Sequence, residues 1–117
     1  MPYIHLLTTE AIGAAKEEAV LNALTAETSK ITGKPAAVIL AACQGGVSMR
    51  FAGTAGAAGP AAYISYKGIG VSEEQAPKLS SAFSAVLKMH LNVPQDRLYV
   101  VFENVKASMW GHNGSTF

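Results

Sequence analysis

Hydrophobic positions change from strand-like to helical spacing twice along the chain. Tyr3-Ile4-His5-Leu6-Leu7 opens with strand character. From about Ala11 to Thr32 the spacing becomes helical: Ile12, Ala15, Ala19, Val20, Ala23, Leu24 and Ile31 share a face, with Glu17, Glu18, Asn22 and Thr25 largely opposite. Thr8-Thr9-Glu10 offers this helix an N-cap hydroxyl and an early carboxylate. Thr32-Gly33-Lys34-Pro35 ends it, because Gly33 tolerates the left-handed conformation and Pro35 disfavours helix at Lys34. Lys34 is thereby set on a sharp exit turn. Ala36 to Ala42 is an apolar run without alternation, which predicts a central strand covered on both faces.

The second half repeats the order. Gln44 to Gly59 is rich in Gly and Ala and bridges the halves, with Val47 to Phe51 its one expected short strand. Ala61 to Tyr66 reads as a strand and Gly68-Ile69-Gly70 as a turn. Ser72-Glu73-Glu74-Gln75 has the capping-box pattern, and Pro77 is tolerated near a helix start. Leu79, Ala82, Phe83, Val86, Leu87 and Leu91 then follow at helical spacing until Asn92-Val93-Pro94. Leu98 to Phe102 is a strand, and Met109 to Phe117 a tail with β character at its ends. The expectation is one α/β domain over residues 1–117, of α+β type: two β-α-β units with right-handed crossovers, giving a four-stranded mixed sheet with two helices on one face. The other face lacks a cover and carries few charges, so it is expected to meet further subunits in a cyclic oligomer.

Composition narrows the function classes. A chain of 117 residues buries about two-thirds of its unfolded surface. Half of the residues are hydrophobic and 15% charged, which leaves apolar surface for a partner chain. The net charge is +1 with Lys and Arg scattered, which argues against nucleic acid or an anionic membrane as partner. Cys43 is the single cysteine, excluding an internal disulfide and a Cys-rich metal site. No signal-peptide pattern or apolar run of membrane-spanning length is present, so the expected address is the cytoplasm, with any export following a route that needs no signal peptide.

Pro2 is the first candidate for chemistry. A small residue after an initiator methionine permits its removal, which would leave Pro2 as a free secondary amine. α-Amines titrate near neutrality, well below lysine, so Pro2 could act as a general base pinned to a sheet by the strand behind it. Gly68-Ile69-Gly70 joins a strand to a helix start, where backbone N–H groups face anions. The glycines at 53, 56 and 59 have no such context and read as a flexible loop. His5, His90 and His112 lack metal-ligand spacing, so no metal site is predicted. Nothing near Cys43 supports a nucleophile, and on local pattern Lys34 is a solvated cation and Tyr99 a core residue.

Taken together, Pro2 after Met1, Thr32-Gly33-Lys34-Pro35, Gly68-Ile69-Gly70, Asp96-Arg97-Leu98-Tyr99 and the ending Trp110-Gly111-His112-Asn113-Gly114-Ser115-Thr116-Phe117 resemble the macrophage migration inhibitory factor family, over the whole chain. The resemblance implies the tautomerase fold: a homotrimer of β-α-β pairs with active sites at subunit boundaries. It also implies cofactor-free interconversion of keto and enol forms of phenylpyruvate-like acids, and in animal members dopachrome tautomerisation and cytokine signalling. By match of motif, Pro2 would be the catalytic base. Lys34 and the Ile69 N–H would hold substrate oxygens, Tyr99 would enter from a neighbouring subunit, and Trp110 would contact substrate in the pocket wall.

Some positions depart from the pattern. The animal Cys-x-x-Cys is absent, since Ala61-Ala62-Tyr63-Ile64 follows Pro60, so thiol-disulfide oxidoreductase activity should be missing. Val101 replaces a pocket asparagine, Val38 a tyrosine, and Trp110 and His112 stand where a valine and a tryptophan are usual. The chemical groups stay while the pocket wall changes, which bears on substrate preference more than on reaction type. A secreted cytokine-like or host-mimicking ligand that keeps a vestigial pocket is the alternative reading. Hydratase, decarboxylase or dehalogenase chemistry of the wider superfamily is a third.

Overall fold

The computed structural model describes residues 1–54 and 58–117. Strand β1 (Tyr3–Thr8) leads into helix α1 (Ala14–Thr32) and then strand β2 (Leu40–Gln44). Strand β3 (Ala62–Gly68), helix α2 (Gln75–Leu91) and strand β4 (Leu98–Asn104) repeat the order, and a two-stranded ribbon, β5 (Gly111–His112) with β6 (Ser115–Thr116), closes the chain. The main sheet runs β2-β1-β3-β4: β1 is parallel to β2 and antiparallel to β3, and β3 is parallel to β4. This is the expected mixed sheet with two helices.

The core follows from the strand period. Ile4 and Leu6 of β1 and Ile64 and Tyr66 of β3 point to one face and meet Val20 and Leu24 of α1 and Leu79, Phe83 and Leu87 of α2. Burying each such side chain contributes roughly 1.5–3 kcal/mol. Tyr66 sits between Phe83 and Phe102 at ring-centroid distances of 6.1 and 5.4 Å, and burial pushes its phenol up to about 12. The alternate residues face away from the helices, and there β4 leaves Tyr99 and Val101 exposed.

Several local expectations are corrected. Helix α1 begins at Ala14, not Ala11, with Gly13 as its extended N-cap and Glu17 N–H donating to the Gly13 carbonyl as the first turn. The hydroxyls of Thr8 and Thr9 do not cap it. Both donate to the Ala61 carbonyl, at 3.1 and 3.3 Å, and so tie the end of β1 to the start of β3. Ala15 is exposed, because with this start the core-facing stripe runs through Val20, Leu24 and Thr28.

Strand β2 starts at Leu40 because Pro35 opens one 3₁₀ turn that absorbs Ala36–Val38. It is also an edge strand instead of a central one, with Leu40 63% exposed. Nor do residues 47–51 form a strand. Val47 N–H donates to the Thr8 carbonyl, and Phe51 pairs only with Thr54 across Ala52-Gly53, both at positive φ. Of the three loop glycines, Gly56 lies outside the described residues.

The helix stops match the reading. Gly33 takes φ 75° and donates its N–H to the Ser29 carbonyl, and Asn92 takes φ 58° after α2. Ser72 Oγ accepts from Gln75 N–H at 3.1 Å, the forward half of the expected capping box.

Candidate active site

Strand register determines what surrounds Pro2. Tyr3 pairs with Leu40 on one side and with Lys67 on the other, so the residue before β1 lies between the start of β2 and the end of β3. Leu40 N–H donates to the Pro2 carbonyl at 3.0 Å. Pro2 is buried, and its backbone is held by the sheet instead of by a frayed terminus.

The tail supplies the facing wall. Asn113 and Gly114 take φ 52° and 80°, the two left-handed positions of a type I′ turn. They fold β6 back on β5, so that Phe117 N–H reaches the Trp110 carbonyl at 3.2 Å and the Phe117 ring stacks on His112 at 5.7 Å. Between this ribbon and the end of the sheet is a cavity of about 310 Å³, lined by Met1, Pro2, Val38, Leu40, Trp110, His112 and Phe117 among others. Its walls are mostly aliphatic and aromatic, the usual surroundings for an organic ligand.

Lys34 reaches this corner from the exit turn of α1, where its N–H donates to Thr32 Oγ1 at 3.2 Å. The α-amine of Met1 is held below its ordinary range by burial first, then by the Lys34 charge, then by a hydrogen bond with the Lys34 side chain. Any amine at this corner therefore titrates beside a cation. With Met1 attached, the Pro2 nitrogen is an amide and has no basicity.

Ile69 follows β3 directly, on the side where Lys67 pairs with Tyr3, so it approaches the same end of the sheet. The next two N–H groups, of Gly70 and Val71, donate to Asn104 Oδ1 at 2.9 and 3.0 Å. Pro2, Lys34, Ile69 and Trp110 thus gather at one end of one chain. Tyr99 does not join them. It pairs with Tyr63, which pairs with Leu7, four residues along β1 from Tyr3 and so about 13 Å away at strand rise. There it is 66% exposed, packs on Phe51 at 4.9 Å, and lines a separate cavity of about 500 Å³ with Leu7, Met49 and Tyr63.

Sequence reasoning does not single out Leu40 or Asn104, and takes Phe117 only as part of an ending motif. The Asn113-Gly114 dipeptide between short β-prone pairs is the signal that could have announced the ribbon and brought Phe117 to the cavity. A larger hollow of about 690 Å³ lies between α1 and α2, lined by Glu27, Lys78, Ser81 and His90 as well as by Ala23, Ala82, Ala85 and Met89. Among the described residues no cluster of His, Cys, Asp and Glu could hold a metal ion, and no helix is long and apolar enough to cross a membrane. Cys43 is half-buried, and burial followed by the Glu17 charge pushes its thiol up, away from the nucleophilic form.

The family described as macrophage migration inhibitory factor (MIF) matches residues 1–117 of the chain. Rat macrophage migration inhibitory factor is 31% identical over 113 residues, 96% of each chain. A macrophage migration inhibitory factor homologue from Prochlorococcus marinus is 30% identical, with a TM-score of 0.91 and 98% of each chain covered. The Toxoplasma gondii factor is 27% identical, also at 0.91, covering 98% of this chain and 99% of its own.

Proposed function

The chain belongs to the macrophage migration inhibitory factor family, and on that premise we propose that it is a cofactor-independent keto-enol tautomerase of phenylpyruvate-like 2-keto acids, with the free amine of Pro2 as general base. The observation that carries the reading is the burial of Pro2 at the floor of an apolar cavity, beside an amine position that Lys34 already depresses.

Removal of Met1 moves the free amine one residue inward. Burial and the Lys34 cation both disfavour the ammonium, so the Pro2 amine is neutral at a lower pH than an exposed α-amine. A neutral amine takes the proton from the carbon beside the substrate carbonyl: the C–H bond breaks, an N–H bond forms, and charge develops on the carbonyl oxygen. Lys34 and the Ile69 N–H stabilise that oxygen or hold the carboxylate. The proton then returns from Pro2 to oxygen, or to carbon in the reverse direction. Trp110, Val38 and Leu40 hold the aryl group. The reading also assigns the protein as a homotrimer, in which Tyr99 of a neighbouring copy closes the site that a single chain leaves open.

Intact mass establishes whether Met1 is absent, and the decay of enolised phenylpyruvate is followed by ultraviolet absorbance. Pro2→Gly, which keeps a primary amine, should lower turnover by about 10²-fold or more, the scale of a lost general base. Undiminished turnover in this variant, or full activity in a sample uniformly carrying Met1, would remove Pro2 from the mechanism.

A further inference from the structure

We propose that Asn104 is a positioning residue for the substrate-holding turn, acting through the backbone at Ile69; this rests on the tautomerase reading above. Asn104 is the last residue of β4, and its Oδ1 accepts from both Gly70 N–H and Val71 N–H, at 2.9 and 3.0 Å. Immediately after it, Val105 N–H donates to the Gly68 carbonyl at 2.8 Å. The end of β4 therefore grips the turn on both sides of Ile69.

Neighbouring residues leave that turn little freedom. A Cβ added at Gly68 would lie 2.9 Å from Val71 Cγ2 and 3.3 Å from the Tyr66 ring, so the chain is closely packed where the strand ends. Gly70 takes φ 78°, which reverses the chain, and a Cβ added there would meet nothing within 4 Å, so no side-chain packing crowds that side of the turn. The Asn104 amide supplies the missing restraint. Two donors converging on one acceptor oxygen fix the Ile69–Gly70 and Gly70–Val71 peptide planes on the far side of Ile69, while Val105 N–H on the Gly68 carbonyl holds the Gly68–Ile69 plane that carries the Ile69 N–H, so the two grips together set the direction in which that N–H faces. A misaimed donor stabilises a developing oxyanion poorly, because the benefit depends on a pre-set geometry.

The test compares Asn104→Ala with Asn104→Asp in full-length protein lacking Met1. Asp keeps an acceptor oxygen and Ala does not. Removing one oxyanion donor outright costs about 10²–10³-fold, so loosening it should lower kcat/KM for phenylpyruvate by about tenfold in the Ala variant. The acid-limb midpoint of its pH profile should stay unchanged, since Pro2 and Lys34 are untouched. The Asp variant should lie within about threefold of wild type, and amide exchange at Gly70 and Val71 should accelerate in Ala only. An Ala variant as active as wild type, or an Asp variant as damaged as Ala, would overturn the proposal. Exchange is read without turnover, so a wild-type protein inactive on phenylpyruvate but protected at Gly70 and Val71 would defeat the tautomerase reading while leaving the grip on the turn standing.

Discussion

Lys34 offers the sharpest test of the electrostatics, because its charge should act on the base and on the substrate in ways that separate experimentally. The perturbation is Lys34→Met, which keeps much of the stem and removes the charge. The Lys34 side chain is close enough to lower the pKa of the Met1 amine, and the Pro2 nitrogen lies one residue further in, so a charge-to-nitrogen distance on the order of 4–7 Å follows from backbone dimensions. At 6 Å, with an effective dielectric constant between about 40 and 80 for a partly solvated corner, the repulsion is roughly 0.7–1.4 kcal/mol. That corresponds to about half a pH unit to one pH unit. The sign is definite. A nearby cation lowers an amine pKa, so its removal raises the pKa, and the acid limb of kcat/KM moves upward by that amount. Activity is present above the pKa and lost as pH falls through it, so the variant should suffer most on the acid side of the ordinary α-amine range. KM for phenylpyruvate should rise at every pH, because the carboxylate loses its counter-charge. The assay is a full pH profile of enolised phenylpyruvate decay at low ionic strength, repeated with added salt, which should narrow the difference. A higher KM with an unmoved or lowered acid limb would refute the coupling between Lys34 and the base.

Two further outcomes test the frame around the site. Phe83 is fully buried against Tyr66, so Phe83→Ala should cost about 3–5 kcal/mol, read as a lower urea midpoint at fixed protein concentration; a loss under 1 kcal/mol would mean that the core is held elsewhere. Gly114 takes φ 80° with open space around it, so Gly114→Val strains only the turn. This variant should raise KM several-fold by loosening Phe117 and Trp110 while the urea midpoint stays nearly fixed, and an unchanged KM would separate the ribbon from the site.

The architecture was legible because its signals are local. Gly33 and Asn92 stop their helices by backbone conformation, and the period-two burial of Ile4, Leu6, Ile64 and Tyr66 follows from strand geometry. The misses have a common physical source. Thr8 and Thr9 look like caps, yet their hydroxyls bond to Ala61, more than fifty positions away in the chain. The apolar run at Ala36–Ala42 looks like a covered strand because nothing within it shows that Pro35 diverts three residues into a turn, or that the strand takes an edge. At the site, Pro2 and Lys34 stand out through motif and chemistry. Asn104 does not, since its role depends on β4 ending beside the turn after β3, and that register is invisible in one dimension.

The edge position of β2 is therefore part of the site. Parallel pairing to β1 places Leu40 beside Pro2, with its N–H on the Pro2 carbonyl, and a central strand would have had its far side covered by another strand of the same chain. As an edge, β2 leaves the cavity open toward solvent at Leu40, while β4 on the opposite edge leaves Tyr99 and Val101 exposed. Exposed apolar side chains on unpaired edges are a liability in an isolated chain. In the proposed trimer the two liabilities cancel: the end of the sheet that lacks a wall meets the end that has an unused one. On that reading Tyr99 is remote from Pro2 within the chain because it serves a neighbour: Pro2 precedes the inner strand β1 at one end of the strands, while Tyr99 lies on the edge strand β4 toward their other end, where a neighbouring copy can reach it.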